Sequence, residues 1–251
     1  MTKTALITGA SKGIGAAAAR HLAGEGWAVA CLARSADALA DLVSKITADG
    51  GKAIVIAADV ADNKAIERAV AQTVDAFGSL DLLVNNAGLI DPIARIEHSS
   101  PVAWDRVVAV NLKGVYYGIR HALPAMKKAG GGTIINISSG AATGALEGWS
   151  HYCATKAAVL SLTKCTDKEE RENGIRMIGL SPGTVATDMQ VEIKESGINP
   201  VSQLDPSVHI PPEWVAKAIA YLTGPGGDAY RGEDFALRAP ESRAALGLPT
   251  G

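Results

Sequence analysis

A chain of 251 residues can bury a sizeable core, and its 47% hydrophobic and 20% charged content is that of an ordinary folded protein. A formal net charge of −2 leaves no basic footprint for nucleic acid, and no apolar run approaches the roughly 18 residues of a membrane span. Met1 leads straight into a strand-like segment, so no leader is expected. Three separated cysteines (Cys31, Cys153 and Cys165) without a C-x-x-C pair speak for a reducing cytoplasm. They also speak against a disulfide framework or a zinc site, and the few histidines show no metal-ligand spacing, so no metal is expected.

In chain order, "TALIT" reads as a buried strand, followed by a helix over about 13–24. "WAVACLA" is a second strand, and "SADALADLVSKITADG" places Leu39, Leu42, Val43 and Ile46 on one helical face. "KAIVIAA" is a third strand, "DNKAIERAVAQTVDAFG" a third helix and "LDLLVNN" a fourth strand. A pair of helices follows, about 101–111 and 114–129, then a fifth strand, "GTIINIS". "HYCATKAAVLSLTKCTDKEEREN" is a long helix and "IRMIGLS" a sixth strand. Strands apolar on both faces, alternating with helices, predict a doubly wound parallel sheet. The expected fold is therefore Rossmann-like, three-layer α/β/α, in a single domain spanning 1–251. The 188–212 stretch breaks the rhythm: helix-like residues 189–195 run into a Pro- and Ser-containing segment, as expected of a substrate lid. The ending offers one more strand, "DFAL", and a helical tail over about 238–251.

"TALITGASKGIGAAAAR" fits more than one glycine signature. Gly9-Ala10-Ser11-Lys12-Gly13 has the G-x-S-x-G form of a hydrolase nucleophile elbow, but no earlier strand exists to supply an oxyanion-hole loop. Gly13-Ile14-Gly15 opening a helix after the first strand fits a pyrophosphate cradle instead, with Gly9 and Ser11 in the turn. An NAD-type site places Asp or Glu after the second strand. Here that strand ends Ala33-Arg34-Ser35, and Arg34 with Lys12 offers cations to a 2′-phosphate, which points to NADP(H).

The fifth strand ends in Ser138 and Ser139; Tyr152 and Lys156 follow at i and i+4 spacing, on one helical face. An ammonium about 4 Å from a phenol is worth about 4 kcal/mol at an effective dielectric of 20, so Lys156 is expected to draw Tyr152 toward neutrality. That suits general acid–base work, with Ser139 hydrogen-bonding the reacting oxygen.

"TGASKGIG", "NNAG" (85–88), Asn111, Ser139, Tyr152-x-x-x-Lys156 and "SPGTVATDM" (181–189) stand in the order of a short-chain dehydrogenase/reductase, which the chain resembles over nearly its whole length. The resemblance implies that Tyr152 is the general acid, that Lys156 lowers its pKa and contacts the nicotinamide ribose, and that Ser139 is the substrate-oxygen donor. It implies that Asn111 holds a water in a proton relay, and that Ser138 is structural. Asp59 and Val60 match the adenine contacts, and Asn86, Ala87 and Gly88 the adenosine-side backbone. Pro182, Gly183, Val185 and Thr187 match the nicotinamide-side contacts, and Arg34, Ser35 and Lys12 the NADP-preferring members. Ala141, Leu146, Trp149, Met189 and Ile193 lie where relatives shape the substrate pocket, as do Glu147, Leu89 and Ile90. The implied activity is NADPH-dependent reduction of a ketone, 3-oxoacyl or cyclic among the options, reversible with a secondary alcohol. An NAD-linked alcohol dehydrogenase and a non-catalytic NADP-binding sensor are the alternatives. The implied partners are a small molecule and further copies of the chain, as a homodimer or homotetramer, with neither nucleic acid nor membrane. Two departures stand out. "TDKEEREN" (166–173) puts charge on a helix that commonly forms a subunit interface, and the C-terminal tail lacks the usual ending.

Overall fold

The computed structural model describes residues 2–250. Its first half alternates β1 (Thr4–Thr8), α1 (Gly13–Gly24), β2 (Ala28–Ala33), α2 (Ala36–Ala48), β3 (Lys52–Ala57), α3 (Asn63–Phe77) and β4 (Leu82–Asn85). There follow α4 (Pro101–Val108), α5 (Gly114–Lys128), β5 (Gly132–Ile137), α6 (Ser150–Glu170) and β6 (Ile175–Ser181). The chain ends with α7 (Asp188–Ser196), α8 (Pro212–Thr223), β7 (Asp234–Ala236) and α9 (Pro240–Ala245). Boundaries follow local chemistry. Ser35 caps α2 by accepting from Ala38 N, Asp62 caps α3 by accepting from Lys64 N and Ala65 N, and Gly78 ends α3 in the left-handed region at φ +88.

All seven strands pair in parallel, in the order β3-β2-β1-β4-β5-β6-β7. The direction of winding reverses between β1 and β4, and in such sheets the ligand crevice opens beyond the carboxyl ends of the strands at that switch. Alternation along each strand feeds two cores. Ala5, Ile7, Val29 and Cys31 pack on one side with residues of α1, α2 and α8. Leu6, Ala30, Leu32 and Leu83 pack on the other with α3, α5 and α6. Each fully buried Val, Leu or Ile among them contributes about 1.5–3 kcal/mol.

Four features differ from the sequence-based expectation or resolve it. The expected gap between the helices near 112 is closed: a π-helical turn, Ala109–Lys113, joins α4 to α5. Helix α8 lies outside that expectation, although Pro212 at its first turn and the buried Val215, Ala218, Ile219 and Leu222 signal it; it packs along α1. The 166–173 charge run is not simply a solvated end. Asp167 is 1% exposed and accepts from Arg171 Nε at 2.9 Å, with Arg231 Nε at 3.7 Å, while Lys127 pairs with Glu170 at 2.9 Å. The tail packs locally: Arg243 lies over the Trp214 ring of α8 at 5.3 Å, and Leu248 joins the adjacent core.

Candidate active site

Beyond the ends of β1 and β4, backbone and side chains are fitted closely. Thr8 Oγ1 accepts from the backbone N–H groups of Asn86 (3.0 Å) and Ala87 (3.1 Å) and donates to Val84 O. Asn86 Nδ2 donates to the Thr8 carbonyl at 2.9 Å and the Gly9 carbonyl at 3.2 Å. The glycines are required by space. A Cβ at Gly15 would overlap the Gly9 carbonyl oxygen, and one at Gly9, where φ is +66, would lie 2.9 Å from Ala87 Cα. This cradle at the N-terminus of α1, with its free N–H groups and positive dipole end, fits a dinucleotide pyrophosphate. Ser11 and Ile14 are half-buried in the same turn.

At the adenosine end Arg34 is exposed after β2, and Ser35 is committed to capping α2. Asp59 accepts from Ala61 N at 2.9 Å and from Arg106 of α4 at 2.6 Å. Burial opposes its ionisation, but the Ala61 N–H, Arg106 and the more distant Arg34 outweigh it and hold its carboxyl below the usual range. Val60 is buried where Gly114 lets α5 start, a Cβ there lying 3.0 Å from Val60 Cγ2. Lys12 is the N-cap of α1, and its ammonium lies 2.6 Å from Asp188 at the start of α7. Thr187 meets the same loop, since a Cβ at Gly13 would lie 3.1 Å from its Cγ2. Pro182 and Val185 are buried, Val185 bridging in parallel to Ile210, and Gly183 takes φ +79.

Tyr152 and Lys156 lie on the buried face of α6 beyond the end of β5. Lys156 Nζ donates to the Ile137 carbonyl at 2.6 Å and stands 5.5 Å from the Tyr152 ring centroid. Burial pushes the Tyr152 phenol up to about 12, with the Ser139 side chain opposing the rise. Burial pulls Lys156 down to about 8, with Asp234 opposing the fall. This reverses the expected direction for Tyr152: the ammonium lies over the ring and bonds a carbonyl, and desolvation governs the phenol. Asn111 is buried. In the π-helical turn, its Oδ1 accepts from Leu89 N and its Nδ2 donates to Leu89 O, both at 2.8 Å, so the side chain holds the loop after β4. Turns of this kind recur at functional sites because they take a residue out of the regular ladder.

A third apolar cluster surrounds the phenol. Ala141, Leu146, Trp149, Met189 and Ile193 all belong to it, together with Ile90, Ile93, Cys153 and Val201. Trp149 meets Tyr152 edge-on, ring centroids 5.6 Å apart. Two neighbours fall outside: Leu89 packs in the α3–α5 core, and Glu147 turns to the surface, 2.6 Å from Arg95. His151 is fully buried in the first turn of α6, with Nε2 2.6 Å from the Ile90 carbonyl oxygen.

The short chain dehydrogenase family model matches residues 3–197. The chain is 34% identical to a cyclohexanol dehydrogenase of Acinetobacter sp. (strain SE19), covering 94% of this chain and 93% of that one. It is 41% identical to a 3-oxoacyl-(acyl-carrier-protein) reductase of Staphylococcus aureus, covering 75% and 77%. It is 36% identical to a 2-(R)-hydroxypropyl-CoM dehydrogenase of Xanthobacter autotrophicus, covering 89% and 92%. The chain belongs to the short-chain dehydrogenase family.

As a short-chain dehydrogenase it is an oxidoreductase of CH–OH and C=O groups that uses a nicotinamide cofactor. Its substrate is a small molecule, and none of its described helices is long and apolar enough to cross a membrane. Several of its contacts are invisible in the sequence. Arg106, Asn199 and Asp234 lie outside the quoted motifs, and Thr8 and Asp188 lie inside them with partners that only the fold supplies.

Proposed function

We propose that the protein is an NADP(H)-linked reductase of neutral, apolar ketones, reversible with the corresponding secondary alcohols. The carrying observation is a phenol, Tyr152, buried with Lys156 inside an apolar cluster that neighbours a glycine-built cradle. Gly9, Ser11, Lys12, Gly13, Ile14 and Gly15 would hold the pyrophosphate side, and Arg34 and Ser35 the 2′-phosphate. Asp59, Val60 and Asn86 to Gly88 would line the adenosine. Tyr152, Lys156, Pro182, Gly183, Val185 and Thr187 would flank the nicotinamide. Once bound, the cofactor supplies or accepts the hydride.

The chain's own groups manage the proton. Burial holds Tyr152 protonated at neutral pH, so it is an acid ready to donate as negative charge builds on a carbonyl oxygen. Ser139 donates a hydrogen bond to that same oxygen. Lys156, charged below about 8, stabilises the phenolate left behind. The apolar walls expel water and favour a substrate without charge. The 188–212 segment carries Glu192, Glu195 and Asp205 against Lys194, with Asp188 paired to Lys12, a rim that disfavours anions. The likeness to a cyclohexanol dehydrogenase over most of both chains supports a compact ketone.

The same reading extends to assembly and location. A cavity of about 390 Å³ between α5 and α6, lined by Leu112, Tyr116, Ala158, Leu162 and Cys165 among others, is the face a second copy would cover in a homodimer. Free cysteines at 31, 153 and 165 suit the cytoplasm.

The test is an NADPH-oxidation screen over neutral ketones, aldehydes and 3-oxoacyl thioesters, repeated with Tyr152→Phe. Turnover is expected to fall about 10²- to 10⁴-fold while NADPH affinity stays close to that of the parent. Undiminished turnover in Tyr152→Phe would remove the mechanism.

A further inference from the structure

We propose that Asp234 is a positioning residue for Lys156, fixing through Ser138 the strand end that holds the ammonium and placing a carboxylate on that same strand end. The inference rests on the reading of Tyr152 and Lys156 as the catalytic pair.

A carboxylate in a three-residue strand of a packed sheet needs a reason, because desolvating a charge is costly unless it is paired. Asp234 Oδ2 accepts from Ser138 Oγ at 2.8 Å, while Oδ1 is buried without a hydrogen-bond partner. The neighbouring strand makes room for this group: Gly179 pairs in register with Asp234, and a Cβ there would overlap the carboxylate. Ser138 follows Ile137, whose carbonyl accepts from Lys156 Nζ at 2.6 Å, and Ser138 N is itself bonded to Leu180 O at 2.8 Å. A continuous path therefore runs from the Asp234 carboxylate through the Ser138 side chain and the strand end to the ammonium.

Burial pushes the Asp234 carboxyl up; the Ser138 hydrogen bond, Lys156 and Lys164 oppose the rise, and Lys156 is the buried cation. From α6, Lys156 and Lys164 both act on Asp234, but Lys164 also lies 3.7 Å from Glu233 on the exposed side. Beside Asp234, β5 contributes Ser138 and β6 Gly179, both uncharged, while Arg176 of β6 is engaged by Gly224, Thr223 and Asp228. Lys156 itself faces the Tyr152 ring and the Ile137 carbonyl, neither of which offers an anion at neutral pH. Burial of Lys156 favours loss of its proton, and Asp234 works against that loss.

The experiment is the pH profile of kcat in Asp234→Asn and Asp234→Thr, which remove the charge but keep an acceptor for Ser138. Loss of the charge should move the high-pH limb, near 8 in the parent, downward by about one unit. At pH 8 that lowers kcat about five-fold, with the ketone KM within about two-fold. Ser138→Ala keeps the carboxylate and should lower kcat without moving the limb. Profiles that superimpose on the parent's overturn the proposal. So does failure of both neutral variants to fold, which would make Asp234 a structural residue. If Tyr152→Phe stays active, the reading of the site falls first. If it is inactive while the Asp234 profiles are unshifted, only the role of Asp234 falls.

Discussion

The two ends of the site are built in different ways. At the dinucleotide end, loops after β1 and β4 are locked by backbone-scale constraints. Gly9 and Gly15 leave no space for a Cβ, and Asn86 donates two hydrogen bonds to Thr8 across the switch point. At the substrate end, the walls come from Ile90, Ala141, Trp149, Tyr152 and Ile193, scattered along the chain and joined only by packing. The first end admits few alternatives, because a single methyl group would collide with a main chain. The second admits many, since one aliphatic side chain can replace another at a cost below about 1.5 kcal/mol. A scaffold with this division keeps its cofactor while its substrate drifts, as expected where function is grafted onto a shared fold.

The sharpest way to break the comparison is to change cofactor choice without touching the substrate end. Arg34 stands exposed after β2, a strand that ends without a carboxylate of its own. Arg34→Asp should reduce kcat/KM for NADPH relative to NADH by about 10- to 100-fold, the loss of a charge-assisted hydrogen bond plus added repulsion. The ranking of ketones should be unchanged. Steady-state kinetics with both coenzymes over the same substrate panel reads both outcomes, and an unaltered coenzyme ratio would assign the phosphate to another residue, with Arg106 the next cation to replace.

The same division explains what is legible in the sequence. Strands such as Thr4–Thr8 and the helix opening at Gly13 are readable because alternation and glycine spacing are local. The Tyr152–Lys156 pair is readable because i and i+4 share a helical face. The direction of the Tyr152 shift is not, since it depends on burial produced by Ile90 and Ile193 from distant segments. Asn111 stands out as a polar residue in a helical stretch, but its role does not. Its bonds to Leu89 need the π-helical turn, which no residue pattern announces. Helix α8 is a different case. Its proline start and apolar spacing are present in the sequence, but lie just beyond a segment that reads as a lid.

At the substrate end, the 188–212 segment, which we read as a lid, is held at a few discrete points. Met189, Ile193 and Val201 pack into the pocket cluster, Ile210 bridges to Val185, and Asn199 Nδ2 donates to the Glu147 carbonyl at 3.0 Å. Asn199 Oδ1 also accepts from Val201 N at 3.0 Å, so one side chain both shapes the turn and ties it to the pocket wall. Asn199→Ala should cost about 1 kcal/mol of closure, raising the ketone KM about five-fold while leaving NADPH affinity in place. A parallel rise in the NADPH KM would show that the two ends are coupled through this segment, contrary to the division drawn above.

The smallest effect is expected where the two ends touch. Lys12 of the glycine loop pairs with Asp188 of α7 at 2.6 Å, yet both side chains are about 70% exposed (70% and 68%). An ion pair this open is worth about 0–1 kcal/mol, is screened by salt, and holds the Asp188 carboxyl below its usual range mainly through the Lys12 hydrogen bond. Asp188→Asn should therefore leave thermal stability within a degree or two (about 0.5 kcal/mol). Its effect on function turns on the competition for Lys12. If the ammonium serves an NADP phosphate, removing its partner carboxylate frees it, and NADPH binding tightens by up to about two-fold at low salt, with the gain lost at high salt. If Lys12 is only a clasp for α7, NADPH affinity stays put and the ketone KM rises instead. Titrating NADPH fluorescence at two ionic strengths distinguishes them, and shows whether this cation belongs to the rigid end of the site or to the adaptable one.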